Sequence, residues 1–281
     1  MIMKKYKPTS AGRRAGEVID YRELVEKKTP EKGLTFGFHR SVGRNNRGRI
    51  TTRHKGAGVK RLYRTVDFMY DKKNVSGAVE AVEYDPNRTA FIALIKFKDG
   101  ERRYVLASQG MKKGTRFLVS ESAPIEDGSR TPLKNIPVGT FVFAIELDKN
   151  RGAKLARSAG SSAQVLALDA GYTTLKMPSG EIRKVRADNW ASVGILSNPE
   201  RSFMTIGKAG RNRHRGIRPS VRGTAMNPRD HKHGGGEGRT QLGFAMPRTP
   251  WGKPARGVKT RSKKKRTNVY IIQRRIKKRR T

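Results

Sequence analysis

The chain has no cysteine. That excludes a disulfide framework and any zinc site built on cysteine. Long hydrophobic runs are missing too: the longest aliphatic or aromatic stretches are only about five residues, such as Phe91–Ile95 and Phe141–Ile145. A membrane-spanning helix needs about 20 apolar residues, so none is expected. The start, MIMKKYKP, is basic but no apolar segment follows it, so no signal peptide is expected. Acidic residues are scarce, with 23 Asp and Glu against 63 Lys and Arg. The last 86 residues hold only Glu200, Asp230 and Glu237. A metal-dependent nuclease needs clustered carboxylates, and the sequence offers none there.

The excess of cations gives a net charge of +40 over 281 residues. Self-repulsion of that size opposes a compact isolated state and becomes favourable once phosphates neutralise it. The charge is unevenly placed. Residues 1–60 carry +11, residues 61–195 only +7, and residues 196–281 carry +22. Blocks of like charge this long mark nucleic-acid arms. A membrane-surface role needs an amphipathic basic helix. The C-terminal flank is instead broken by Pro199, Pro219, Pro228, Pro247, Pro250 and Pro254.

The middle of the chain reads as short strands between turns. Residues 75–84 alternate with period two, and Asp85-Pro86-Asn87 is a turn signal. A mostly apolar strand over 89–97, the Asp99-Gly100 hairpin and a returning strand over 101–107 follow, with another strand over 116–120. Residues 121–130 read as a linker. A second set begins with a strand over 140–147. A three-stranded meander over 164–169, 173–177 and 181–186 follows, and 187–196 closes it. This pattern predicts a mainly β fold of two small barrels, 61–125 and 126–195, between basic extensions over 1–60 and 196–281. Such barrels often bind nucleic acids, although fold alone does not assign function. The flanks show neither helical nor strand periodicity, and only 268–276 suggests a short ordered element. Low hydrophobicity and high charge predict flanks that are disordered when alone.

Val221–Arg239, VRGTAMNPRDHKHGGGEGR, stands out. Three consecutive glycines, Gly234, Gly235 and Gly236, let a backbone approach another surface closely. They follow Asp230, His231, Lys232 and His233. The segment holds little that could fill a core, and it reads as shaped for a partner surface.

Blocks of this kind run through the whole chain: GRNNRGRITTRHKGAG at 43–58, YDPNRTAFIALIKFKDGERRYVLA at 84–107, PLKNIPVGTFVFAIEL at 132–147, ARSAGSSAQVLA at 156–167, the 221–239 segment, and TPWGKP at 249–254. With these motifs in this order, the chain resembles the bacterial-type universal large-subunit ribosomal protein two family. The resemblance implies an OB-like barrel, then an SH3-like barrel, with extensions running into ribosomal RNA. It also implies direct binding to 23S-type rRNA, a place near the peptidyl transferase region, and support of subunit association and tRNA binding. Implied partners are neighbouring large-subunit proteins and small-subunit rRNA at an intersubunit bridge, with no membrane and no homo-oligomer. No cofactor is implied beyond Mg2+ shared with rRNA, and no enzyme activity of the protein's own. A ribosome-bound, cytoplasmic protein is expected, an organellar ribosome being the other setting. The sequence departs from the family at Val59 and at Phe143-Ala144, where a histidine and His-Asn are usual. It departs again at Lys232, where proline is usual between the two histidines.

Several residues are candidate RNA contacts. Arg44, Asn45, Asn46, Arg47 and Arg49 suit a loop threading RNA, with arginines for phosphates and asparagines for base edges or 2′-hydroxyls. Arg53 and His54 continue that block. Arg88 follows a turn and is expected to project from the first barrel. Arg157 sits among small residues in the second. Both match arginines that the family places at the rRNA surface, where a guanidinium grips phosphate or stacks on a base. Arg222, Asn227, Asp230 and Arg239 belong to the glycine segment. Trp251 could stack on a base or anchor packing. Lys263, Lys264, Lys265 and Arg266 read as nonspecific phosphate contacts.

His231 and His233 admit three readings. With Asp230 they offer three metal donors, but zinc needs a fourth ligand or water, and only His214 or Glu237 could join them. As a catalytic element, His231 could move protons near pH 7, but no nucleophile or oxyanion partner is visible. As hydrogen-bonding RNA contacts they need only shape and proximity. The rival for the whole chain is a nonspecific DNA-compacting protein, which would explain the charge but not two barrels.

Overall fold

The structure is a computed structural model and describes residues 3–22, 24 and 29–275. It is mainly β, and the strands follow the alternation in the sequence. A short hairpin pairs β1 (Met3–Lys5) with β2 (Glu17–Ile19), and β3 (Thr35–Gly37) pairs with β4 (Leu62–Arg64). The first barrel is a four-stranded antiparallel sheet. Its strands are β5 (Gly77–Glu83), β6 (Ile92–Phe97), β7 (Arg102–Leu106) and β8 (Arg116–Phe117), in the order β7-β6-β5-β8. Gly100 supplies the positive φ of 87° that the β6–β7 hairpin requires. β6 is buried on both faces except at Lys96, which explains its almost continuous apolar run.

The second barrel is built on a seven-stranded sheet. Its members are β9 (Arg130–Pro132), β10 (Phe141–Phe143), β13 (Ala163–Asp169), β14 (Tyr172–Lys176), β15 (Ile182–Arg186), β16 (Trp190–Val193) and β17 (Ile271–Gln273). The order is β17-β15-β14-β13-β10-β16-β9. The meander over β13, β14 and β15 lies where the alternation places it. The expected element over 268–276 is β17, which adds to the edge of the sheet beside β15; Ile276 lies outside the described residues.

Two local expectations need correction. The single strand over 140–147 is two strands. Ala144 takes a left-handed backbone with φ 48°, which turns the chain out of β10 and into β11 (Ile145–Glu146). β10 pairs with β13 and β16, whereas β11 pairs with β12 (Ala153–Leu155). This is also where the sequence carries Phe143-Ala144 in place of His-Asn. Asparagine tolerates a left-handed backbone better than alanine does.

The segment 121–130 is not a free linker at its end. Arg130 is fully buried. Its guanidinium donates to the Ala144 carbonyl at 2.7 Å, Ser192 Oγ at 3.3 Å, Glu146 Oε1 at 3.3 Å and the Trp190 carbonyl at 3.4 Å. It also lies 4.1 Å from the centre of the Tyr70 ring. Nothing in the local polar pattern signals this, because the partners come from three other segments, around Tyr70, Ala144–Glu146 and Trp190–Ser192.

The barrels share a core. One apolar cluster joins Val79, Phe91, Ile95 and Phe117 of the first barrel to Phe143, Ala153, Trp190 and Leu196 of the second. A further cluster, with Leu133, Val142, Val165 and Leu175, fills the second barrel alone.

The chain forms two compact units that cut across the three segments of the charge map. One holds residues 1–39, 60–208 and 269–281, and so includes both barrels. The other joins residues 40–59 to residues 209–268. Of its described residues, no hydrophobic side chain is buried. It holds 23 Lys and Arg against Asp230 and Glu237, a net charge of +21.

Candidate nucleic-acid interface

In the barrel unit, the structure brings Arg88 and Arg157 to one aromatic ring. Their guanidinium carbons lie 5.4 Å and 4.9 Å from the centre of Phe68. Arg88 does not project freely. Its Nε donates to the fully buried Asp85 carboxylate, whose other oxygen holds the turn by accepting from Asn87 N–H at 2.8 Å. Arg157 donates to the Ala153 carbonyl at 3.3 Å and remains exposed. A guanidinium held over a ring is pre-oriented for phosphate or a base, with less side-chain freedom left to lose.

The paired strands β3 and β4 bring further aromatics together. Phe36 and Phe38 are exposed and lie 5.1 Å and 5.5 Å from the Tyr63 ring. Their signal in the sequence is the Phe-Gly-Phe spacing at 36–38. It is hidden among glycines that read as irregular chain.

In the basic unit, residues 44–50 form a tight loop. Asn45 Oδ1 accepts from the backbone N–H groups of Arg47 and Arg49, both at 3.0 Å. Arg44 donates to the Gly48 carbonyl at 2.8 Å. Asn45 therefore spends its carbonyl on shaping the loop, while Asn46, Arg47 and Arg49 are exposed on it. Arg53 lies over the Trp251 ring at 5.3 Å, and His54 Nδ1 lies 3.0 Å from the Pro219 carbonyl.

The 221–239 segment folds on itself, although it holds little that could fill a core. The Asn227 carbonyl accepts from Asp230 N–H at 3.0 Å and His231 N–H at 3.3 Å, and Gly235 N–H donates to the Met226 carbonyl at 2.9 Å. Glycine is needed for this internal packing. A Cβ at Gly234 would collide with the Asn227 carbonyl, and one at Gly223 with the His231 ring. Gly235 and Gly236 take φ of 87° and 85° and continue the turn. Arg222 and Arg239 stay exposed on either side.

His231 and His233 are 9% and 6% exposed, and their rings stack 5.1 Å apart. His233 Nε2 accepts from Arg248 N–H at 2.7 Å, so the proton of the neutral ring sits on Nδ1 and goes to the Leu242 carbonyl at 2.8 Å. His231 Nδ1 accepts from His233 N–H at 3.0 Å, which places the proton of its neutral ring on Nε2. The first histidine keeps its N–H donor at Nε2. The second is committed to holding 242–248 against the loop. Among the described residues, no group of three or more His, Asp or Glu is arranged to hold a metal ion.

Lys263, Lys264, Lys265 and Arg266 sit on a turn organised by two neighbours. Asn268 Nδ2 donates to the Lys263 carbonyl at 2.8 Å, and Arg261 Nε donates to Asn268 Oδ1 at 2.7 Å. The four cations are left exposed.

Fused β barrels with a basic unit that buries no hydrophobic side chain among its described residues define the class of nucleic-acid-binding proteins. The comparisons name the kind. Residues 31–119 match the family described as Ribosomal Proteins L2, RNA binding N-terminal domain, and residues 126–252 match Ribosomal Proteins L2, C-terminal domain. The chain is 51% identical over 273 residues to the large ribosomal subunit protein uL2 of Roseobacter denitrificans, covering 97% of each chain. The chain belongs to the ribosomal protein L2 family. It is a structural, RNA-binding protein of the large ribosomal subunit.

Proposed function

We propose that this protein binds 23S-type rRNA directly through two surfaces of different character. The barrel unit supplies specificity from arginines held in fixed geometry. The basic unit supplies depth and charge. One observation carries the reading: a unit with net charge +21 has no buried hydrophobic side chain among its described residues. Such a unit gains little from apolar burial and much from phosphates.

On this reading the protein contacts neighbouring large-subunit proteins and, at an intersubunit bridge, small-subunit rRNA. It supports subunit association, tRNA binding and the peptidyl transferase region, in a ribosome-bound cytoplasmic setting. Mg2+ is shared with the rRNA and not held by a protein site. His231 positions RNA and does not transfer protons. To act as a base at Nε2, it would have to move its proton to Nδ1 and break the bond from His233 N–H.

Two measurements test this. The protein should co-sediment with large subunits in high salt, where a nonspecific DNA-compacting protein would dissociate. Binding of the free protein to rRNA should weaken about 10³–10⁵-fold between 50 and 200 mM salt if roughly 6–10 phosphates are neutralised. Arg88→Ala and Arg157→Ala should each cost more affinity than Lys263→Ala, Lys264→Ala or Lys265→Ala. Equal losses in all five variants would contradict the division of roles.

A further inference from the structure

We propose that the basic unit carries a clamp for one single-stranded RNA nucleotide, with a cavity for the backbone phosphate and Trp251 as the platform for the base. The proposal rests on the RNA-binding reading above and names the ligand chemistry of residues to which that reading gives no individual role.

The cavity has a volume of about 530 Å³, and its walls include Arg44, Arg53, Lys55 and Arg218. No carboxylate lines it. Four cations around one concavity focus positive potential where a phosphate would enter. The size is within the range of small-ligand sites.

The walls come from opposite ends of the chain. Gly56 N–H donates to the Gly216 carbonyl at 2.8 Å, Arg218 N–H to the His54 carbonyl at 3.0 Å, and Val59 N–H to the His214 carbonyl at 2.9 Å. The His54 ring adds its contact with the Pro219 carbonyl. These bonds set the cations in place without help from a core.

The backbone is strained where it lines the cavity. Val42 has φ 43° and His54 has φ 59°. A β-branched residue in the left-handed region is a genuine outlier, and such strain clusters at ligand sites.

Arg53 joins the cavity to the platform. It lines the cavity and lies against the Trp251 ring, which is nevertheless 74% exposed. An exposed indole beside a guanidinium is a surface on which a base stacks. Phosphate and base of one nucleotide are thus recognised by groups in mutual contact. An acidic peptide would satisfy the cations but has no use for the indole, so the observations favour RNA.

The test uses the full chain and its tryptophan emission. Trp190 is the other tryptophan and is buried among the barrels, so quenching by an added ligand reports Trp251. The probe is an oligouridylate of about ten nucleotides. Saturable quenching is expected, and it should vanish in Trp251→Phe. Arg53→Ala and Arg218→Ala should each weaken binding about tenfold, and Lys263→Ala less than about twofold. Arg53→Lys should retain part of the affinity, because charge remains while the planar stack is lost. Circular dichroism should show the barrels unchanged in every variant.

Oligouridylate binding with unquenched emission would overturn the clamp, as would equal losses in all the alanine variants. Equal quenching by polyglutamate would also overturn it and point to an acidic protein partner. If the wild-type chain binds its rRNA but the oligonucleotide leaves Trp251 unaffected, only the clamp fails. If the chain does not bind rRNA at all, the RNA-binding reading fails with it.

Discussion

The Arg130 guanidinium meets the Glu146 carboxylate at 3.3 Å, with side chains 1% and 3% exposed. Both charges lie within the core shared by the two barrels. Burial pulls the arginine's pKa below its ordinary value, and Tyr70 and Glu146 oppose that pull.

A buried pair is a weak source of net stability but costly to break, because the remaining partner is left uncompensated. Arg130→Met should therefore destabilise the protein by about 3–5 kcal/mol. Combining it with Glu146→Leu should recover a large part of that loss. Urea midpoints of the single and double variants check this. A single-variant loss below about 1 kcal/mol would show that the pair is not holding the barrels together.

The two histidines should separate in their effects. His231→Gln keeps a hydrogen-bonding side chain but cannot shuttle protons near pH 7. Subunits reconstituted with it should perform peptidyl transfer at near-normal rates once assembled. A chemical step slowed a hundredfold in fully assembled particles would sink the positioning role. His233→Ala removes both ring bonds to 242–248 and should impair assembly more than His231→Gln does.

Ala170 offers a stabilising substitution. It precedes Gly171 in the two-residue turn between β13 and β14, with φ of 45° and 76° at the two positions. Turns of this hand favour Asn-Gly. Ala170 is exposed, so Ala170→Asn should stabilise by about 0.5–1 kcal/mol without disturbing the core. A lowered thermal midpoint would refute it.

Amide exchange should divide the free protein along its two units. Residues 209–268 have turn hydrogen bonds but no buried hydrophobic side chain, so they should exchange quickly, while β6 and β7 are strongly protected. Addition of rRNA should slow exchange in 209–268. Strong protection there without RNA would falsify the view that the partner completes this unit.

The barrels were legible because period-two alternation and turn residues act locally. β5, β6, β7 and the β13–β15 meander therefore lie where they are expected. The break at Ala144 was not legible, because its left-handed backbone is imposed by pairing with two different sheets. Arg130 was hidden for a related reason: its partners lie as many as 62 residues away. Composition sets the glycine segment apart, but it does not show that Gly234 packs against the segment's own Asn227 carbonyl. Arg88 and Arg157 stand out in the sequence as arginines beside a turn and among small residues. Their convergence on Phe68 does not, since all three come from separate segments.

The bonds between 54–59 and 214–218 have a consequence in time. A chain made from its N-terminus exposes His54 long before Arg218 exists. At about 5–20 residues per second, the early half of the basic unit waits roughly 8–30 s for its other half. The barrels lie between and can fold meanwhile. Both strands of the basic arm thus become available together only near the end of synthesis, when a folded body is already present to dock.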